Sequence, residues 1–202
     1  MTKKTKIQDD DTKRMFMQLM EDDAYVDISE DVKYPPVAIS CGTYNDINHN
    51  GDVVEYHIPI GTYGNFSFIQ APPKSMKSFF SSLLVSAYQS DTNKYSGLIK
   101  GHRKGRKIIH FDTEQGKFHC QKLFRRPVIM NDMPDDDNYY TYALRTMSYK
   151  DRVDFIDYIL NDKLEGKDIG LVVIDGIADL VADVNNLEQC NEAIQKLMSW
   201  TD

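Results

Sequence analysis

The residues best suited to chemistry here are Lys77 and Ser78, which close the stretch Ala71-Pro72-Pro73-Lys74-Ser75-Met76-Lys77-Ser78. The phosphate-binding pattern G-x-x-x-x-G-K-[ST] has three working parts. Its glycines let backbone N–H groups approach phosphate, its lysine reaches the β- and γ-phosphates, and its hydroxyl holds Mg²⁺. In this chain Ala71 and Met76 occupy both glycine positions, while Lys77 and Ser78 keep the right spacing. A strand-to-helix turn with an incidental lysine fits the same letters. For a loop that does take phosphate, the departures set the manner. Met76 adds a side chain where a backbone N–H should meet the ligand, and Pro72 and Pro73 have no N–H to give. The cradle must then draw on amides from Lys74 through Ser78 and on the positive end of the following helix, with Lys74 as a second cation.

Two carboxylates downstream complete the chemistry. Lys107-Ile108-Ile109-His110-Phe111-Asp112 reads as a short apolar strand ending in acids, followed by Thr113-Glu114-Gln115-Gly116. A carboxylate just past the carboxyl end of a parallel strand lies at the edge where such sheets bind ligands, so Glu114 is a candidate general base. An acid favoured by the dipole of a helix start reads equally well. Asp168 to Asp175 is a continuous apolar run ending in an acid, too short for a helix and suited to a strand buried on both faces. It has the form of a Walker B strand, whose Asp175 would hold Mg²⁺ across from Ser78.

The elements that must carry these groups can be read along the chain. Residues 1–13 are charged and aperiodic, which predicts a mobile tail, and Met15, Phe16, Leu19 and Met20 predict a short amphipathic helix over 13–20. Pro35-Pro36 marks a boundary, so the sequence divides into an N-terminal segment, 1–34, and a core, 35–202. Residues 37–40 and 53–60 flank Asn50-Gly51 as a β-hairpin. Residues 65–70 alternate like a strand, and Phe79, Phe80, Leu83 and Leu84 predict a helix packed on a sheet. Residues 128–130 suggest another strand, 132–138 an acidic turn, and 139–147 either strand or helix. Ser148-x-x-Asp151 opens a helix, and a last helix covers 187–200.

Composition bounds the rest. A chain of 202 residues supports one α/β domain with a sizeable core. Its 24 Lys and Arg against 31 Asp and Glu give a net charge of -7, so any nucleic-acid contact must be a local patch. Lys100 to Lys107 is the dense basic run, and its glycines make it a loop: a solvated loop and a phosphate or DNA contact both fit. Asp46, Asn48, Asn50, Gly51 and Asp52 imitate the start of an EF-hand calcium loop, but His57 stands where a bidentate Glu is needed and strands replace the two helices. The hairpin turn explains those residues. Cys41, Cys120 and Cys190 are odd in number and widely spaced, which speaks against a disulfide framework or zinc site and for a reducing cytoplasm. The first residues lack an apolar leader, and no run approaches the ~18 apolar residues of a membrane span. A soluble, cytoplasmic protein is expected.

Taken in order, Ala71 to Ser78, then Phe111 to Gln115, then Leu171 to Leu180 resemble the RecA-like P-loop ATPases, and within them the RepA-type replicative helicase and plasmid-mobilisation branch. The resemblance covers about 61–200. It implies a mostly parallel central sheet flanked by helices, ATP and Mg²⁺ as cofactors, Lys77 and Ser78 as the P-loop cation and hydroxyl, Glu114 as the catalytic carboxylate and Asp175 as the Walker B acid. It further implies single-stranded DNA as a partner, a homo-oligomer with a ring among its forms, and C-terminal strands beyond Asp202 that would carry DNA-facing loops and much of the subunit contact surface; it assigns no position to a trans-acting arginine. Two rivals remain: a non-catalytic DNA-binding or interaction module that kept the fold and lost tight nucleotide binding, and a P-loop kinase.

Overall fold

The structure is a computed structural model and describes residues 3–29, 33–48, 50–91, 98–134 and 136–201. Its contacts divide the chain into two units, Met1–Tyr34 and Pro35–Asp202. The first is one helix, α1 (Lys3–Ala24). The charged stretch expected as a tail is therefore helical from Lys3 on, because Lys, Gln and Arg are good helix formers even without an apolar stripe. Met1 and Thr2 lie outside the described residues. Met15, Phe16, Met17, Leu19 and Met20 are all exposed.

The second unit is α/β, with two three-stranded sheets. β1 (Val37–Ile47) and β2 (Val53–Thr62) form the expected hairpin, longer than the sequence pattern alone indicated. In its turn the Asn48 side-chain oxygen accepts from the Asn50 and Asp52 amides, 2.9 Å each, so the calcium-like letters serve the turn. β3 (Ile99–Gly101) adds antiparallel to β1, giving the order β2-β1-β3. The run 100–107 is thus only partly a loop.

The other sheet is parallel. β4 (Lys107–Asp112) is its centre, with β5 (Tyr139–Ala143) on one side and β6 (Ile169–Asp175) on the other. Alternation along β4 sends its side chains to two cores. Ile108 packs with Leu84, Val85, Ala87 and Tyr88 of helix α2 (Lys77–Ser90) and with Ala38, Ile39 and Ile99 of the hairpin sheet. Ile109 and Phe111 pack on the opposite face with Ile156 of α4 (Tyr149–Asp157), with Ile159 and Leu160 of the π-helical turn that continues it, and with Leu180. α2 therefore ties the two sheets together. α4 starts at the capping box expected from Ser148 and Asp151. A final helix, α5 (Leu187–Ser199), closes the described chain.

Three expectations need correction. Residues 65–70 form no strand: they are irregular, and Phe66, Phe68 and Ile69 are exposed. Residues 128–130 are not a strand but the end of helix α3 (Lys117–Asn131), whose buried face is Cys120, Leu123, Phe124, Pro127 and Asn131. The expectation for β6 holds only in part: it packs on both faces, Leu171 and Val173 toward α2 and Val172 and Ile174 toward α4, but most of its residues are only half-buried, since it pairs with β4 alone and among the described residues its other edge is free. Of the acidic turn, Asp135 lies outside the described residues. No helix among the described residues is long and apolar enough to cross a membrane.

Candidate functional site

The parallel register puts Asp112 of β4 directly beside Asp175 of β6, at the carboxyl ends of both strands. Asp175 shares its face with Leu171 and Val173, which pack toward α2, so its carboxylate meets the start of that helix. Lys77 Nζ donates to Asp175 Oδ1 at 2.6 Å, and Ser78 Oγ donates to Asp175 Oδ2 at 3.2 Å. These bonds span 98 and 97 residues of sequence. Burial alone would push the Lys77 ammonium down, but the bond to Asp175 and the charges of Asp175, Glu114 and Asp112 hold it above its ordinary value. Only Asp175 bonds the ammonium; Glu114 and Asp112 act on it through their charge.

Glu114 lies two residues past the end of β4 and is exposed. Its position is fixed from below. Asp112, fully buried, accepts from the Glu114 amide at 2.9 Å and the Gln115 amide at 2.7 Å through Oδ1. The Thr113 hydroxyl has three acceptors within reach for its one proton, the Asp175 and Gly176 carbonyls and Asp179 Oδ2, and the Thr113 amide donates to the Asp175 carbonyl. Gly176 has φ +96° and no room for more: a methyl there would collide with Thr113 Oγ1 and stand 2.8 Å from Glu114 Cγ. Arg152 anchors the far side by donating to the Asp179 carbonyl at 2.8 Å. Asp112, Thr113, Gly176 and Asp179 went unread in the sequence. The available signal was an Asp two residues before the candidate base, the spacing of an Asx turn.

The turn 71–76 has its own geometry. Lys74 and Met76 both take left-handed backbone, φ +66° and +65°. Ser75 spends its amide and its hydroxyl on the Pro72 carbonyl, at 3.2 and 2.6 Å. The amides of Lys74, Met76, Lys77 and Ser78 have no such partner among the described residues. Ala71 is half-buried, while Pro72, Pro73 and Lys74 are exposed and Met76 is 70% exposed. From Lys77 and Asp175 a groove of about 710 Å³ runs along the free edge of β6, lined also by Phe66, Phe68, Phe80 and Trp200.

The oxygen donors gathered here fit an Mg²⁺ ion. Ser78 Oγ and Asp175 Oδ2 converge, and Asp112 Oδ2 is buried with no hydrogen-bond partner. Among the described residues no three carboxylate, imidazole or thiolate groups gather to cage a metal. That suits Mg²⁺, which takes one or two protein ligands and leaves the rest to phosphate and water.

The basic run does not form a free patch. Arg103 is 5% exposed and bonds Asp136 through both terminal nitrogens, at 2.7 and 3.0 Å. The Arg106 guanidinium lies 4.1 Å from the Tyr63 ring centroid, and Lys107 donates to the Lys167 carbonyl. Cys120 is buried, whereas Cys41 and Cys190 are half-buried. The Cys120 thiol is pushed up to about 11, first by burial and then by the Asp112 charge. Compared with protein-family models, curated proteins and solved structures, the chain matches none.

Proposed function

We propose that this chain is an ATP-binding, ATP-hydrolysing RecA-like domain of a DNA replication, helicase or mobilisation protein. The observation that carries the reading is the pair of hydrogen bonds that Lys77 and Ser78 donate to Asp175, with Glu114 beside it at the carboxyl end of a parallel sheet. In this reading the amides of the 74–78 turn and the start of α2 bind the phosphates. Lys77 exchanges Asp175 for phosphate charge, Ser78 and Asp175 hold Mg²⁺, and Glu114 orients and deprotonates water. Mg²⁺, when bound, neutralises charge on the β- and γ-phosphates. The resemblance extends the proposal to a cytoplasmic homo-oligomer, with a ring among its forms, and to single-stranded DNA as partner.

Titration calorimetry with ATP, with and without Mg²⁺, tests it. Lys77→Ala should abolish binding, Asp175→Asn should remove the Mg²⁺ dependence, and Glu114→Gln should keep binding while stopping turnover. Absence of ATP binding at millimolar ligand would sink the reading. The non-catalytic module is then favoured, and one observation already leans that way: Pro72 and Pro73 have no N–H and Ser75 spends its own on Pro72, so three residues of the turn offer phosphate no backbone donor.

A further inference from the structure

The solvent face of α3 carries Lys117, His119, Lys122, Arg125 and Arg126, all exposed, and no acid occurs between Glu114 and Asp132. None of its four Lys and Arg makes a salt bridge to a described residue. Several cations elsewhere are tied to acids, as Lys77 is to Asp175, Arg103 to Asp136 and Lys196 to Asp157, whereas those of α3 stand together on one helix without an acid. Nor do the α3 cations serve the helix. Lys117 stands at its first residue, where the dipole is positive, and there is no acid in the first turn and no base in the last. Arg145, also exposed, brings a guanidinium nitrogen to within 4.0 Å of where a side chain on Gly116 would begin. Phe118 is 63% exposed within this field, with the Lys122 ammonium 4.5 Å from its ring centroid and the His119 ring edge-on.

We infer that the exposed face of α3 binds single-stranded nucleic acid. Unpaired cations in a row match a phosphate backbone, and an exposed aromatic ring among them offers a stacking platform that an unpaired base can use and a duplex cannot. A membrane surface fits less well. An interfacial helix must turn a broad apolar face to lipid, whereas the apolar face of α3 is already buried through Cys120, Leu123, Phe124 and Pro127. At ~1.5 Å per residue the helix is about 22 Å long, enough for a few nucleotides. Glu114 lies three residues before the start of α3, so strand binding has a direct route to the candidate base. That coupling, unlike the binding itself, rests on the ATPase reading.

The test uses the full chain without nucleotide and a fluorescein-labelled oligothymidylate, followed by anisotropy across a salt series. The wild type should bind, more weakly as salt rises. Lys122→Glu with Arg126→Glu should weaken binding at least tenfold and lower the salt slope by on the order of 1.4, since each lost contact to a single strand contributes about 0.7. Phe118→Ala should weaken binding several-fold with the slope unchanged. Lys100→Glu with Lys104→Glu in the other basic segment should leave it unchanged. Circular dichroism melts confirm that these surface variants fold. No wild-type binding at low salt, an unaffected Lys122/Arg126 variant, or binding to phosphatidylserine vesicles but not to the oligonucleotide each overturns the inference. A chain that binds the strand but not ATP would refute the ATPase reading and leave this one standing.

Discussion

Met76 holds φ +65°, a region that costs a residue with a Cβ roughly 1 to 2 kcal/mol and that glycine enters freely. A left-handed backbone thus stands at the position where the phosphate-binding pattern has glycine. Met76→Gly should raise the melting temperature modestly and tighten ATP binding, because it relieves strain and clears the phosphate approach; unchanged affinity in calorimetry would mean the turn has a geometry of its own. His110 makes a second prediction. It is 1% exposed, donates or accepts only toward Tyr139, and has no partner for Nε2. Burial pushes its pKa down to about 4, with the Asp175 charge opposing. The unfolded chain therefore binds the extra proton between about pH 6.5 and 4, and stability must fall as pH falls through that window. The loss from pH 7 to 5 is about 2 kcal/mol. Urea unfolding at the two pH values should show this slope in the wild type and little of it in His110→Gln. None of this was legible in the sequence, where His110 is one letter inside an apolar strand.

At the scale of elements, legibility followed how local the cause was. The Asn50-Gly51 hairpin, the Ser148 capping box and the final helix are set by neighbours in sequence, and all three stand in the structure. Helix α3 was missed because Pro127 lies inside it and reads as a break before Val128. What overrides the proline is long-range burial of Cys120, Leu123 and Phe124, which no local pattern announces. The run 100–107 hid its purpose for a similar reason. Arg103 reaches across to Asp136, which also accepts from Gln89 of α2 at 2.8 Å, so one guanidinium joins the 102–106 loop, α2 and the residues before β5. Both side chains are under 10% exposed, so removing only the cation should cost about 3 to 5 kcal/mol. Arg103→Met should show that loss in chemical denaturation, and Arg103→Met with Asp136→Leu should recover most of it. Burial works to raise the Asp136 carboxyl, yet the bonds from Arg103 and Gln89 hold it below its usual value. Its contribution is present above the ordinary carboxylate range and lost as pH falls below it, so the single variant should lose this acid limb.

For the second unit as a whole, the open question is what covers the free edge of β6. A strand with one row of unpaired N–H and C=O groups invites another strand to add. The sequence pattern predicts a strand over 65–70; the structure instead has that segment irregular while its Phe66, Phe68 and Ile69 line the same groove as β6. The reason is energetic balance: a short segment gains little from pairing unless its ends are held, since ordering each residue costs roughly 1 to 2 kcal/mol. One end of 65–70 is joined to Lys77 by the turn 71–76. Phosphate bound by that turn would fix the end and reduce what remains to be ordered. Hydrogen exchange should therefore show ATP with Mg²⁺ slowing residues 65–70 together with those β6 amides that point away from β4, at concentrations where the chain is monomeric. Protection that instead rises with protein concentration and ignores nucleotide would assign the edge to a second copy of the chain. Protection confined to 71–78, with no concentration dependence, would mean that the segment and the edge are not coupled and that the three-stranded parallel sheet is complete as it stands.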